Sequence, residues 1–380
     1  MADSEQPERV NVLWLVKGLG PGGAEHLLLA HAVSGRHDRF RYDVAYALPH
    51  KTHLVPDLQR AGVGVLRLPE RPGAWPAAIR RLVVTGGYDV VHVHSPMMAA
   101  AARLAVRTLR RRPALVATEH NQWSSFHPVT RWANGLTFPL TDHSFAVSDS
   151  VLRSIWAPLR PRVEVLVHGV LLDHMQPSPE ARLATRAELG LCDSDVLVLT
   201  VANMREQKGY PDLLEAAAQV VASCPRAVFA AVGQGPLLDE VGAMRDRIGL
   251  RERFHLLGFR SDVAELLAAA DVFALSSRWE GFPIAVMEAL AVGVPVVSTI
   301  VGGLPGAIED GVQGRLVPVG DPGRLAAALV DVVSDDGRRA AMAEAARERG
   351  LSFDGRRAVH RLDDLYAELA VAGGASSAGR

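Results

Sequence analysis

Cysteine is nearly absent from this chain. Cys192 and Cys224 are the only two among 380 residues. They lie far apart, without the close spacing of a metal knuckle, so neither a disulfide framework nor a zinc site is expected, and a reducing, cytoplasmic setting is. Net charge is nearly absent too, at -1, which argues against nucleic acid bound along the whole molecule. Long uninterrupted apolar runs are also missing. Ala289 to Ile308 passes 20 residues without a charge, but its four glycines and two prolines divide it into helix end, strand and loop rather than a membrane span. The opening MADSEQPERV is polar and acidic, unlike a secretory leader.

The small net charge conceals a division. Residues 1–170 hold 20 Lys and Arg against 13 Asp and Glu, a balance of +7, whereas residues 171–380 hold 21 against 29, a balance of -8. A basic first half points to an anionic surface or substrate on that side. With 48% hydrophobic and 22% charged residues the composition is that of an ordinary globular protein, and 380 residues exceed what one core organises, so two domains are expected.

Apolar runs of strand length alternate with helical stretches: NVLWLV, DVAYAL, VGVLRL, DVVHVH, ALVATE, HSFAVS and VEVLVH, then, after Pro177-Ser178-Pro179, DVLVLTVAN, AVFAAVG, RFHLLGF, DVFALSS, VPVVST and GRLVPV. This alternation builds βαβ units and parallel sheets. The fold class expected is α/β with two doubly wound, Rossmann-like lobes, 1–170 and 171–352, joined through a polar linker over 171–194. A C-terminal helix over 353–372 is expected to cross back to the first lobe, and the tail GGASSAGR reads as unstructured. Ligands of such proteins sit at the carboxyl ends of the strands, here in a cleft between the lobes.

The residues VKGLGPGGAEHLL, 16–28, set Gly18, Gly20 and Gly23 in the spacing G-x-G-x-x-G directly after NVLWLV. Three readings compete: a dinucleotide fingerprint, a turn that uses glycine only for its φ freedom, and a loop whose N–H groups meet an anion at the start of a helix over 23–33. The dinucleotide reading lacks its acid, because the only carboxylate of YDVAYAL, Asp43, stands at the wrong end of the strand.

In SSRWEGFPIAVMEALAVGVPVV, 276–297, Pro283 is placed to open a helix, leaving Glu280 in the loop before it and Glu288 on a face shared with Ile284 and Ala291. A carboxylate on so apolar a segment needs hydrogen-bond partners, and sugar or ribose hydroxyls suit it. The bland alternatives are a helix N-terminal charge for Glu280 and an ion pair with an unplaced arginine for Glu288. Arg205 and Lys208 leave VLVLTV just before a helix near Pro211, either as a phosphate site or as two solvated cations. His94 and His120 follow strands and read as cleft residues or hydrogen-bonded structural histidines. Ser148 reads as a helix N-cap. Asp193-Ser194-Asp195 has the spelling of a metal motif but precedes its strand, so it reads as a turn and no metal is expected.

Taken together, E280-GFPIAVM-E288, R205-EQ-K208-G209, G22-G23-A24-E25 and VGQGPLLDEV at 232–241 resemble the family 4 retaining glycosyltransferases of GT-B fold, over about residues 11 to 370. The resemblance implies transfer of a hexosyl unit from a nucleoside diphosphate sugar, a UDP or GDP sugar, to an acceptor hydroxyl, with retention of configuration and no cofactor or metal. It also assigns positions. Glu280 would sit by the donor sugar hydroxyls, with the backbone at Gly281 and Phe282 beside sugar and phosphate. Glu288 would hold the ribose, and Arg205 and Lys208 would neutralise the diphosphate. Gly258 and Phe259, within Leu257–Arg260, would meet the base; Gly22 and Gly23 would line the first lobe; His120 would stand near the transfer site. Two departures from the family pattern are Gly302-Gly303-Leu304-Pro305-Gly306, where many relatives offer a glutamate, and His168-Gly169 in place of Asn-Gly.

The segment PMMAAAARLAVRTLRRRP, 96–113, reads as one helix with Arg103, Arg107, Arg110, Arg111 and Arg112 beside Met97, Met98, Leu104 and Leu109. It is either a solvated face or a peripheral contact with anionic membrane, where a lipid-linked acceptor would reside. Other classes kept open are a nucleotide-sugar 2-epimerase of the same architecture, whose acid/base set is not found here, a non-catalytic sugar-nucleotide binding protein, and a nicotinamide oxidoreductase.

Overall fold

The computed structural model of the protein describes residues 9–378; the polar opening MADSEQPE and Gly379-Arg380 lie outside the described residues. The chain forms two compact units, Val170–Asp354 and a first unit that combines the segment up to Gly169 with the segment from Gly355 onward.

The first unit holds a seven-stranded, all-parallel sheet of β1 Val10–Val16, β2 Phe40–Tyr46, β3 Gly64–Arg67, β4 Val90–Val93, β5 Ala114–Glu119, β6 His143–Ala146 and β7 Val163–Val165, in the order β3-β2-β1-β4-β5-β6-β7. Helices cover both faces, which is why the strands are near-continuous apolar runs. Along β1 the side chains alternate: Val12, Trp14 and Val16 enter one core cluster and Leu13 and Leu15 the other. The long helix Gly355–Ala378 closes the first cluster with Leu362, Leu365 and Tyr366. Its backbone stays helical through most of the tail that composition suggested was unstructured. Asp363 anchors that helix, fully buried, accepting hydrogen bonds from Tyr42 Oη (2.6 Å) and the Arg36 amide (3.1 Å) and contacting His31 Nε2 (2.8 Å).

The second unit holds a six-stranded parallel sheet of β8 Val196–Val201, β9 Ala227–Val232, β10 Phe254–Gly258, β11 Val272–Leu275, β12 Val296–Thr299 and β13 Gly314–Val317, in the order β10-β9-β8-β11-β12-β13. The expected linker is part of this unit. It contains the helix Pro179–Glu188, whose Arg182 and Arg186 both reach Asp271 at the start of β11 (2.6 and 3.1 Å). The polar composition that suggested a linker belongs to a helix that docks through charge rather than through an apolar stripe.

The expected helix over 96–113 also differs. It spans Pro96–Arg107 only, and Arg103 and Met98 on it are fully buried. Arg112, beyond its end, forms a bidentate pair with Asp142 (3.0 and 3.1 Å). The Arg103 guanidinium is taken inward by acceptors from the following helix, whereas Leu104, Arg107, Arg110, Arg111 and Arg112 stay exposed.

Candidate active site

In a doubly wound sheet the crevice opens where strand order reverses. In the second unit that point lies between β8 and β11, and both strand ends carry the predicted residues. After β8 the chain turns through Glu206–Lys208 into the helix Tyr210–Ser223. After β11 it runs through Ser276–Pro283 into the helix Ile284–Val292, with Pro283 at the N-cap. The two loops are laced together by Ser276 Oγ donating to Lys208 O (2.8 Å) and the Arg278 amide donating to Gln207 O (2.7 Å). Gly209 lies between them at φ 61°, where a Cβ would stand 2.2 Å from Ser276 O. Only glycine satisfies both the left-handed backbone and that approach.

Lys208 Nζ lies 2.5 Å from Glu280 Oε1. The same oxygen accepts from Ser277 Oγ (2.7 Å), while Oε2 accepts from Gln207 Nε2 (3.2 Å), which also holds Trp279 O (2.9 Å). Glu280 is therefore a buried acceptor held by three donors rather than a solvated helix N-terminal charge. A carboxylate has about four lone-pair sites, so about one remains on Oε2 for an incoming hydroxyl. Arg205 is exposed at the start of the same loop, where its carbonyl accepts from the Lys208 amide (2.9 Å), and it has no side-chain hydrogen bond or ion pair among the described residues. Ser277 and Gln207 escaped the sequence reading because their role depends on the two loops meeting.

Glu288 is half-buried on the helix Ile284–Val292, and no arginine pairs with it among the described residues. Burial alone pushes its carboxyl up to about 7. A folded-state value above the unfolded one makes the native state hold the proton longer, so stability declines as pH rises from 4.5 towards 7 and the penalty is complete above that. Glu288→Gln is therefore expected to raise thermal stability at about pH 8 by up to about 3 kcal/mol and to change little at about pH 5. Melting curves of both proteins at the two pH values check this, and an equal shift at both would refute the burial account.

The loop after β12 completes this end of the sheet. The Gly303 amide donates to Gly281 O (2.9 Å), and Gly302, at φ 56°, would place a Cβ 2.4 Å from that oxygen. A Cβ on Gly303 would strike the Phe282 ring at 2.2 Å. Close packing against Gly281 and Phe282 thus explains the two glycines at 302 and 303, whereas Gly306, where many relatives offer a glutamate, has open space for a side chain; Phe282 itself stands edge-on to Phe353 (5.8 Å). At the end of β10, Gly258 (φ 66°) accepts from the Gly233 amide (2.8 Å), and the Phe259 side chain is largely exposed. Arg260 is tied down by Glu188 and Asp262. Asp193 and Asp195 lie before β8, at the opposite end of the sheet from these loops; Asp195 accepts from the Cys192 amide (2.7 Å).

In the first unit the reversal lies between β1 and β4, where the glycine loop and His94 meet: the His94 amide donates to Leu15 O (2.9 Å) and the Lys17 amide to Ser95 Oγ (3.1 Å). None of Gly18, Gly20, Gly22 and Gly23 has positive φ. The turn reading based on φ freedom is thus corrected. At Gly18 it is close approach that opposes a side chain, since a Cβ would meet Lys51 Cβ at 2.9 Å, whereas at Gly22 the nearest atom is only the movable Glu25 carboxylate. Gly22 caps the helix Gly23–Ser34.

His120 does not stand alone. Its Nε2 lies 3.0 Å from His94 Nδ1, and the His168 ring stacks on it at 5.8 Å. Burial holds all three imidazoles below their ordinary value, His168 at about 4. In the neutral state the His94–His120 contact needs one donor and one acceptor, so the two tautomers are linked. His94 and His168 each bury an Nε2 without a partner among the described residues, beside a cavity of about 20 Å³, room for roughly one water. Ser148 caps the helix Asp149–Ser154 by accepting from the Val151 amide (3.2 Å), as its position suggested.

The Glycosyltransferase Family 4 profile matches residues 11–174 and the Glycosyl transferases group 1 profile residues 182–349. D-inositol 3-phosphate glycosyltransferase of Xylanimonas cellulosilytica is 31% identical over 312 residues, 74% of this chain and 72% of that one. The chain belongs to glycosyltransferase family 4. The transferase is also similar to N-acetyl-alpha-D-glucosaminyl L-malate synthase of Bacillus anthracis, at 27% identity over 74% of this chain and 75% of that one. Its fold is GT-B: Anabaena HepE in complex with UDP and glucose superposes with a TM-score of 0.84 at 22% identity, covering 95% of the transferase and 100% of HepE. No helix among the described residues is long and apolar enough to cross a membrane.

Proposed function

We propose that this glycosyltransferase moves a hexosyl unit from a UDP or GDP sugar to an acceptor hydroxyl with retention of configuration, and that its own cations replace a metal. The observation that carries the reading is the Lys208–Glu280 pair at the reversal of strand order, with Arg205, which has no side-chain partner among the described residues, in the same loop as Lys208. Glu280 keeps acceptor capacity for a sugar hydroxyl, Glu288, without a partner among the described residues, is a carboxylate suited to a ribose diol, and Arg205 and Lys208 supply positive charge where a diphosphate would leave. In this reading the bond from sugar C1 to the diphosphate oxygen breaks as the acceptor oxygen bonds C1 from the same face. The acceptor proton passes to the departing phosphate oxygen, and the two cations offset the charge that develops there. Support comes from HepE, whose structures hold UDP, UDP with glucose, and UDP-glucose, and from a GDP-mannose-dependent mannosyltransferase of Mycolicibacterium smegmatis, 35% identical over 200 residues.

Thermal unfolding with UDP, GDP, ADP and NAD, each at about 1 mM, tests the donor class. A nucleotide present at about 100 times its dissociation constant adds about 2.7 kcal/mol to the folded state. A rise with UDP or GDP is expected, and a rise with NAD alone would overturn the reading.

A further inference from the structure

The helix Pro128–Thr137 is turned inside out. Its buried residues are Asn134 and Gly135, whereas Val129, Trp132 and Leu136, spaced at helical repeat on the opposite face, are 63%, 56% and 71% exposed. Surface helices of globular proteins place apolar residues inward and polar ones outward. Here a buried polar network fixes the reverse orientation: Asn134 Nδ2 donates to Glu119 Oε1 (2.9 Å) and Asn134 Oδ1 accepts from Arg103 (2.7 Å). Gly135 makes the inward side flat enough for the Trp156 ring, since a Cβ there would lie 2.3 Å from it. The helix is thus held so that its apolar stripe faces solvent, with Trp132 edge-on to Trp156 (4.9 Å).

The surroundings of the stripe are basic. Arg131 is on the helix itself, Arg162 donates to Pro139 O just past its end (3.3 Å), and Arg160 donates to Ile155 O beside Trp156 (2.8 Å). Residues 121–162 hold four arginines against Asp142 and Asp149, and Asp142 is occupied by Arg112. An exposed tryptophan and aliphatic residues rimmed by arginines match the boundary layer of an anionic bilayer, with apolar side chains among acyl chains and guanidinium groups at the head groups.

We infer that the helix Pro128–Thr137 docks this glycosyltransferase on membranes rich in anionic lipid. The inference does not depend on the donor assigned above, and it moves the membrane contact away from the segment 96–113.

The test is co-sedimentation of the full chain, at low salt, with vesicles of phosphatidylcholine alone or containing about one-third phosphatidylglycerol, for wild type, Trp132→Glu and Leu136→Glu. Both substituted side chains are exposed, and unchanged melting curves show that the fold is kept. Wild type is expected to bind only the anionic vesicles, and each substitution to lower binding by about tenfold or more. Binding unchanged by both substitutions, or no vesicle binding by wild type, would overturn the inference. A concentration-dependent dimer in light scattering that Trp132→Glu dissolves, without vesicle binding, would assign the face to a second copy and also overturn it.

Discussion

Lys208→Ala is expected to lower kcat by about a hundredfold to a thousandfold, the range seen when a preorganised group facing developing charge is removed. Lys208 has two effects that need separating. It holds Glu280 through the 2.5 Å contact, and in the proposed mechanism it also meets the leaving diphosphate. Removing it leaves a buried carboxylate held only by Ser277 and Gln207, which costs stability as well as rate. The double variant Lys208→Ala, Glu280→Gln separates the two, because it removes the orphaned charge. Its melting temperature should return towards wild type while its kcat stays low. If the double variant is no slower than Glu280→Gln alone, the lysine acts by supporting Glu280 and not on the leaving group; a Lys208→Ala variant with near-native turnover would remove Lys208 from the site altogether.

The second large effect is on stability. Asn134→Leu is expected to destabilise the protein by about 3 to 5 kcal/mol, the cost of leaving buried charges without partners. The Asn134 amide stands between two buried groups of opposite charge, giving its N–H to Glu119 and taking the Arg103 N–H on its oxygen. Trp123 Nε1 donates to Glu119 (3.1 Å) and Thr141 Oγ1 accepts from Arg103 (2.7 Å), Arg103 Nη2 is buried without a partner among the described residues, and the guanidinium lies 5.1 Å from the Phe138 ring centroid. Burial already pushes the Glu119 carboxyl up and the Arg103 guanidinium down to about 10. Leucine keeps the branched outline of asparagine with a larger volume and satisfies neither neighbour. Urea unfolding of both proteins measures the difference, and a loss below about 1 kcal/mol would show that Glu119 and Arg103 find other partners.

Local pattern accounts for the thirteen strands among the described residues, for the prolines that open the helices Tyr210–Ser223 and Ile284–Val292, and for the Ser148 cap. Each depends on residues adjacent in the chain: apolar runs of strand length, a fixed proline φ, and a hydroxyl three residues from an amide. The position of the Arg205, Lys208, Glu280 and Glu288 stretches after β8 and β11 was equally legible, because the carboxyl ends of parallel strands can be found from the runs alone.

Tertiary structure decided what those residues touch. Lys208 and Glu280 are 72 positions apart, and they meet only because β11 pairs directly with β8, skipping β9 and β10. His94 and His120 pair because β4 and β5 are neighbours. Composition misjudged the segment 171–194, where the helix docks through Arg182 and Arg186 on Asp271, and the segment 96–113, where the arginine with the best inward position is buried. In both cases a charge counted as a solvent signal while its partner lay far away in sequence. The helix Pro128–Thr137 is the sharpest example, since its periodicity marks Val129, Trp132 and Leu136 as one face but cannot say which way that face points. Its direction is fixed by Asn134, through a hydrogen bond to a glutamate at the end of β5 and another from an arginine on the preceding helix.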